Sequence, residues 1–147
     1  IGTSILMSLF FGLIPDSAAA AIWAMVVASL LPLMMALTAK ALGGFNFADN
    51  AHPRDFLQGT TGAAARADAA QQNSYETLPI FLAAVLVAML FFVPQLIINT
   101  IAWLYVLIRI GFCVAYITNL ATFRSILWVL SMACSLMLFY LAIRVSF

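Results

Sequence analysis

Long uncharged apolar runs alternate with one polar stretch. Ala18 to Leu42 carries no charge before Lys40, and Leu78 to Val93 carries none at all. Pro94 to Asn119 and Thr122 to Val145 are almost as apolar. About 20 apolar residues in a helix cross the hydrocarbon of a bilayer. The pattern therefore predicts an all-α integral membrane protein with four transmembrane helices: 18–42, about 60–91, about 94–119 and about 122–145. Asp16 and Ser17 are good residues to cap the first, and Gly43-Gly44 ends it. Pro32 and Pro79 lie inside the first and second, where each predicts a bend. Phe92-Val-Pro-Gln95 makes a tight uncharged turn. Residues 43–60 form the one long polar connection, with His52 before Pro53 as a plain turn residue. Ala63, Ala67 and Ala70 on the second span let a neighbouring helix come close.

Ile1 to Ile14 is apolar but shorter than a span, and Pro15-Asp16-Ser17 interrupts it. Residues 1–15 read as a separate interfacial or partner-packed helix ahead of a domain over 16–147. A truncated extra span is the main alternative. A signal peptide would want a basic start, which this segment lacks.

Composition fixes the class. The chain is 66% hydrophobic and 7% charged, with a mean hydropathy of +1.13, whereas a soluble domain is about 25% charged. A net charge of +1 offers nothing to nucleic acid. Cys113 and Cys134 lie in apolar runs and read as small buried hydrophobes. A single His with no Cys cluster predicts no metal site. Five of the six basic residues (Lys40, Arg54, Arg66, Arg109 and Arg124) fall on one side of the membrane in this topology. By the positive-inside rule the polar connections are cytoplasmic and both ends of the four-span unit face out. If 1–14 also crosses, only the start of the chain changes side.

The chemistry gathers at the start of the second span. Arg66, Asp68, Gln71, Gln72, Asn73 and Glu76 fall within eleven residues, just ahead of an unbroken apolar run. Residues seven apart on a helix differ by about 20° in direction, so Arg66 and Asn73 share a face, and Glu76 is about 60° round from Asn73. Arg109 and Tyr116 on the third span are also seven apart, and Arg124 opens the fourth. Ionisable groups at membrane depth are functional candidates, and these could converge on one anionic or amphipathic ligand. Each also has a plainer reading. Arg109 could neutralise Glu76 or Asp68, Arg124 could snorkel to headgroups, Asn73 could bond between helices, and Tyr116 could be an interfacial aromatic.

The run Arg66…Asn73-Ser-Tyr-Glu76-Thr-Leu-Pro79-Ile-Phe-Leu-Ala-Ala resembles the MAPEG family, membrane-associated proteins in eicosanoid and glutathione metabolism. Arg109 with Tyr116, and Thr122-Phe-Arg124-Ser-Ile-Leu-Trp128, are similar to the family as well. The loop Asp49-Asn50-Ala-His-Pro53-Arg54 resembles its bacterial branch. The resemblance covers about 18–146.

This resemblance implies a homotrimer of four-helix bundles, embedded in lipid and, for the bacterial branch, in the inner membrane. It also implies glutathione bound between subunits near the cytoplasmic face, meeting a lipophilic electrophile from the bilayer. Arg66, Asn73 and Glu76 would hold the charged ends of the tripeptide, Arg109 and Tyr116 would line the pocket, and Arg124 would be the catalytic residue that stabilises the thiolate. The chain departs from the family pattern at Ala69, where a second Arg is usual, and at Phe112, where a Tyr is common. Arg124 also lies one residue further from Tyr116, about 100° of helix rotation unless the turn absorbs it. Two readings stay open: a glutathione-dependent transferase or peroxidase, and a non-catalytic subunit that packs in a larger membrane complex or binds lipid.

Overall fold

The computed structural model describes residues 2–12 and 14–147. Helix α1 (Gly2–Gly12) is followed by α2 (Ala18–Gly43), a 3-10 turn (Phe47–Ala51), α3 (Pro53–Gln58), α4 (Gly62–Leu90), α5 (Gln95–Ile117) and α6 (Ala121–Val145). The four long helices are each apolar and long enough to cross a membrane. They match the four spans read from the hydrophobic pattern to within two residues at most ends.

α4 and α5 each pack on all three other long helices and form the centre of the bundle, with α2 and α6 on the outside. Residues on α4 that face α5 are thus the most enclosed in the molecule. Small side chains do the packing. Ala21, Ala24 and Ala28 on α2, and Ala84 and Ala88 on α4, are buried at helical spacing, while Trp23, Leu37, Leu86 and Leu107 point outward. Lipid tails are as apolar as leucine, so close contact between small residues drives association and large apolar groups can face outward. Ala67 and Ala70 are fully buried and Ala63 is half-buried, consistent with close approach to α4.

The ends of the elements have local causes. Gly44 closes α2 in the left-handed conformation (φ 73°) and Asn119 (φ 62°) turns the chain between α5 and α6. Ser17 is the residue before α2, but its side chain makes no capping bond. Its carbonyl anchors the helix start instead. Asn99, buried on α5, donates through Nδ2 to the carbonyls of Pro15 (2.6 Å) and Ser17 (3.0 Å) and accepts from Gln95 (2.8 Å). Trp103 Nε1 donates to the Ala20 carbonyl (2.9 Å). The start of α2 is therefore stitched to the start of α5.

At the other end, the polar connection holds more structure than its sequence predicts. Asn46 begins the 3-10 turn with a reciprocal cap, its backbone N–H donating to Asp49 Oδ2 at 2.8 Å. His52 links that turn to α3, with Pro53 at the first helical position. Phe56 on α3 meets Phe45 edge-on at 5.0 Å and lies so close to Gly43 that a Cβ there would sit 3.1 Å from its ring. Gly43 thus both ends α2 and admits α3.

α1 is an 11-residue helix, about 16 Å long against the ~30 Å hydrocarbon core. Its Ile5, Leu6, Met7 and Leu9 are exposed. Ile1 and Leu13, also in the predicted N-terminal segment, lie outside the described residues.

Candidate functional site

The α4–α5 contact carries the buried polar chemistry. Arg109 is 1% exposed. Its Nη2 donates to Asn73 Oδ1 (2.9 Å) and to Ser74 Oγ (3.1 Å), both on α4. Its guanidinium carbon stands 4.0 Å from the centroid of the Phe112 ring. Its Nη1 is buried with no hydrogen-bond partner. The plainer reading, an ion pair to Glu76 or Asp68, is not what forms: Arg109 meets two neutral acceptors and an aromatic face. Asp68 accepts from Gln72 one turn along its own helix (3.1 Å), and Glu76 is exposed. Both follow from direction on α4, since Asn73 and Ser74 are turned toward Arg109 on α5.

From Arg109 the site extends toward the polar end through stacked groups. Phe112 meets Tyr116 edge-on at 5.6 Å, and the Arg124 guanidinium lies 4.3 Å from the Tyr116 ring centroid. The order is cation, ring, ring, cation. The spacing 109, 112, 116 puts the first three on one stripe of α5, and the first turn of α6 supplies the last. The chain turns between them at Asn119, in the left-handed conformation, and the Arg124 guanidinium faces the stripe.

Asn73, Phe112, Tyr116, Arg124, Ser125 and Trp128, with Val129, line a groove of about 340 Å³ beside this ladder. Small-molecule sites run from about 300 to 1,000 Å³, so the groove suits a small, peptide-sized ligand. Its polar wall offers the Arg124 guanidinium, the Ser125 hydroxyl and the Asn73 amide. Trp128 and Val129, 37% and 58% exposed, form the apolar wall. Arg109 is not in that wall. It stands one layer behind, touching both Asn73 and Phe112.

The structure thus brings together Asn73, Tyr116 and Arg124, with Arg109 behind them. Arg66 is placed apart: its Nε donates to the Ile117 carbonyl (3.0 Å) at the end of α5, where a cation is favoured by the helix dipole. Glu76 is not among the groove residues. Sequence reasoning passed over Ser74, Ser125 and Val129 as site residues and treated Phe112 only as a departure. Helical spacing from Asn73, Arg109 and Arg124 is the signal that could have found them. Deeper in the bundle, Tyr105 stacks on Phe81 (3.9 Å between centroids) and donates to Thr77 Oγ1 (3.3 Å), closing the site from below. Cys113 and Cys134 are free and buried, as expected; Cys113 Sγ lies 3.8 Å from Ser74 Oγ.

The MAPEG family model matches residues 20–144, a range that takes in the whole ladder and groove and leaves α1 outside. No curated protein matches the chain.

Proposed function

The chain belongs to the MAPEG family of integral membrane proteins, and from that premise we propose that it binds glutathione in the Asn73–Tyr116–Arg124 groove and transfers it to a lipophilic electrophile. The observation that carries this reading is the pair of cations without carboxylates. Arg109 is buried on neutral partners with Nη1 unmatched, and Arg124 rests on a ring. A buried charge left uncompensated costs several kcal/mol. Arg109 is buried and Arg124 half-buried, and two cations held without a carboxylate beside one groove favour an anionic ligand. Glutathione fits the donor set, with two carboxylates and an ionisable thiol on a small peptide.

Bound glutathione supplies the thiol whose sulfur forms the new bond to the electrophile's carbon as the leaving group departs with its electron pair. Arg124 holds positive charge where that sulfur would ionise, which favours the nucleophilic thiolate over the thiol. Asn73 donates to the peptide, and the Ser125 hydroxyl, whose own proton goes to the Ala121 carbonyl (3.1 Å), accepts from it. Trp128 and Val129 open the same groove toward the bilayer, from which an apolar substrate would come. Arg66 acts at one remove, holding the end of α5 that carries Tyr116. Peroxide reduction would use the same thiolate, which attacks a lipid hydroperoxide and breaks its O–O bond to release the alcohol; a second glutathione then displaces water from the resulting sulfenic acid to give the disulfide.

MAPEG proteins are generally trimeric, and a groove open on the protomer's surface suits completion by a neighbouring copy. Clustered basic residues favour a cytoplasmic position for it and, on the resemblance of the 49–54 loop, a bacterial inner membrane. One feature favours the non-catalytic reading. α1 presents Ile5, Leu6 and Leu9 outward and lies outside the family match, as a docking element for another membrane subunit would.

The deciding experiment titrates glutathione into detergent-purified protein by calorimetry and reads thiolate absorbance of the complex, for wild type and Arg124→Ala. Binding with a thiolate signal that Arg124→Ala abolishes is the expected result. Wild type with neither binding nor signal hands the function to the subunit reading.

A further inference from the structure

We propose that Arg109 is a positioning residue that fixes Asn73 as a one-way hydrogen-bond donor into the groove, so that the subsite at Asn73 accepts a carboxylate and refuses an amine. The inference deepens the glutathione reading and rests on it.

An Asn carboxamide has an acceptor end and a donor end, and packing alone rarely says which faces a ligand. Here the neighbour settles it. A guanidinium has donors and no acceptor, so the atom of Asn73 that meets Arg109 Nη2 at 2.9 Å must be Oδ1. Turning the amide over would set N–H against N–H beside a full positive charge. Asn73 also lines the groove. The end left to face it is therefore the NH2, which can only donate. Arg109 is held in place for this task by Ser74 on one side and the Phe112 face on the other, and at 1% exposure it has no room to swing out.

The charge matters as well as the geometry. Arg109 gains no carboxylate from its hydrogen-bond partners, which are Asn73 and Ser74. Its positive field therefore extends through the Asn73 amide toward the groove, where an anion would sit. A hydrogen bond to a charged acceptor is the strong kind. A ligand amine at the same place would meet N–H groups and a cation behind them. This gives the groove a direction: of the ends of a zwitterionic peptide, a carboxylate goes to Asn73.

Asn73→Asp is the discriminating variant, because it is nearly isosteric and keeps the contact to Arg109 while replacing the donor that faces the groove with an acceptor. A merely structural Asn73 and a donor Asn73 then predict opposite results. With a carboxylate at position 73 pairing the buried guanidinium, thermal stability should rise. In an Arg109→Gln background the same change should lower it. Glutathione binding by calorimetry should fall by at least about 10-fold in Asn73→Asp, and also fall in Asn73→Ala, which removes the donor without adding charge. Unchanged binding in both variants overturns the proposal while leaving the glutathione reading intact. A lower melting temperature for Asn73→Asp with Arg109 present overturns the clamp itself. Failure of wild type to bind glutathione defeats both.

Discussion

Arg124 lies over the face of Tyr116, its guanidinium carbon 4.3 Å from the ring centroid, although the two residues come from different helices. A flexible cation at a helix start would otherwise sample the headgroups. The ring holds it at the groove. Such a contact is worth about 0.5–2 kcal/mol, depending on how far it is desolvated. Tyr116→Leu should therefore lower glutathione turnover on an electrophilic aryl halide by about 2-fold to 30-fold. Tyr116→Phe keeps the π face and should stay within about twofold. Equal losses in the two variants would show that the hydroxyl, and not the ring, is the working part.

Arg124→Ala should cost far more turnover than binding, because the charge it meets grows on the sulfur during ionisation. Donors aimed at developing charge are worth about 10²–10³ in rate. Arg124→Lys should recover part of this as a point charge, but without the planar stacking on Tyr116. Steady-state kcat and KM for the three proteins make the test, and a loss confined to KM would move Arg124 to a ground-state role.

Arg66 is tied to the Ile117 carbonyl and so belongs to the stability of the α5–α6 turn. Arg66→Ala should lower unfolding stability by roughly 1–2 kcal/mol and weaken glutathione binding only as a consequence. Thermal melts with and without glutathione separate the two effects. A large binding loss with an unchanged melt would place Arg66 on the ligand after all.

Arg109→Met removes a buried charge that has no ionic partner. Replacing such groups with apolar ones of similar volume is often neutral or stabilising. The variant should melt within a few degrees of wild type and yet lose glutathione binding. A severely destabilised variant would mean that Arg109 is a structural keystone first.

Gln58, exposed at the end of α3, reports orientation. In a background with both native cysteines replaced, Gln58→Cys should resist an impermeant thiol reagent in intact cells and react in inverted vesicles. Rapid labelling of intact cells would turn the topology over.

Four spans were legible because hydrocarbon thickness writes itself directly into run length. So was the gathering of Asn73, Tyr116 and Arg124, since seven-residue spacing and helix ends fix direction. What was not legible depended on neighbours. Whether Arg109 meets Glu76 or Asn73 is decided by which face of α4 turns toward α5, and at this level α4 carries polar side chains in several directions. The direction of Arg124 depended on the turn between α5 and α6, whose left-handed residue Asn119 helical periodicity does not announce. α3 was hidden because six residues between polar turns carry too short a period to read, and the Gly43–Phe56 contact that seats it is long in sequence.

Asn99 has a mechanical consequence. Its amide is saturated by Pro15, Ser17 and Gln95, and Trp103 adds a bond to Ala20, so the chain entering α2 is bolted to α5 rather than hung from α1. Load applied to α1 enters α5 at that bolt, and a chain shortened to begin at Pro15 would still carry the bolt. The groove lies roughly 25 Å further along α5, at the opposite end of the bundle. The fold therefore ties whatever α1 touches to the helix that holds Arg109 and Tyr116: a partner that pulls on α1 pulls on α5 at Asn99.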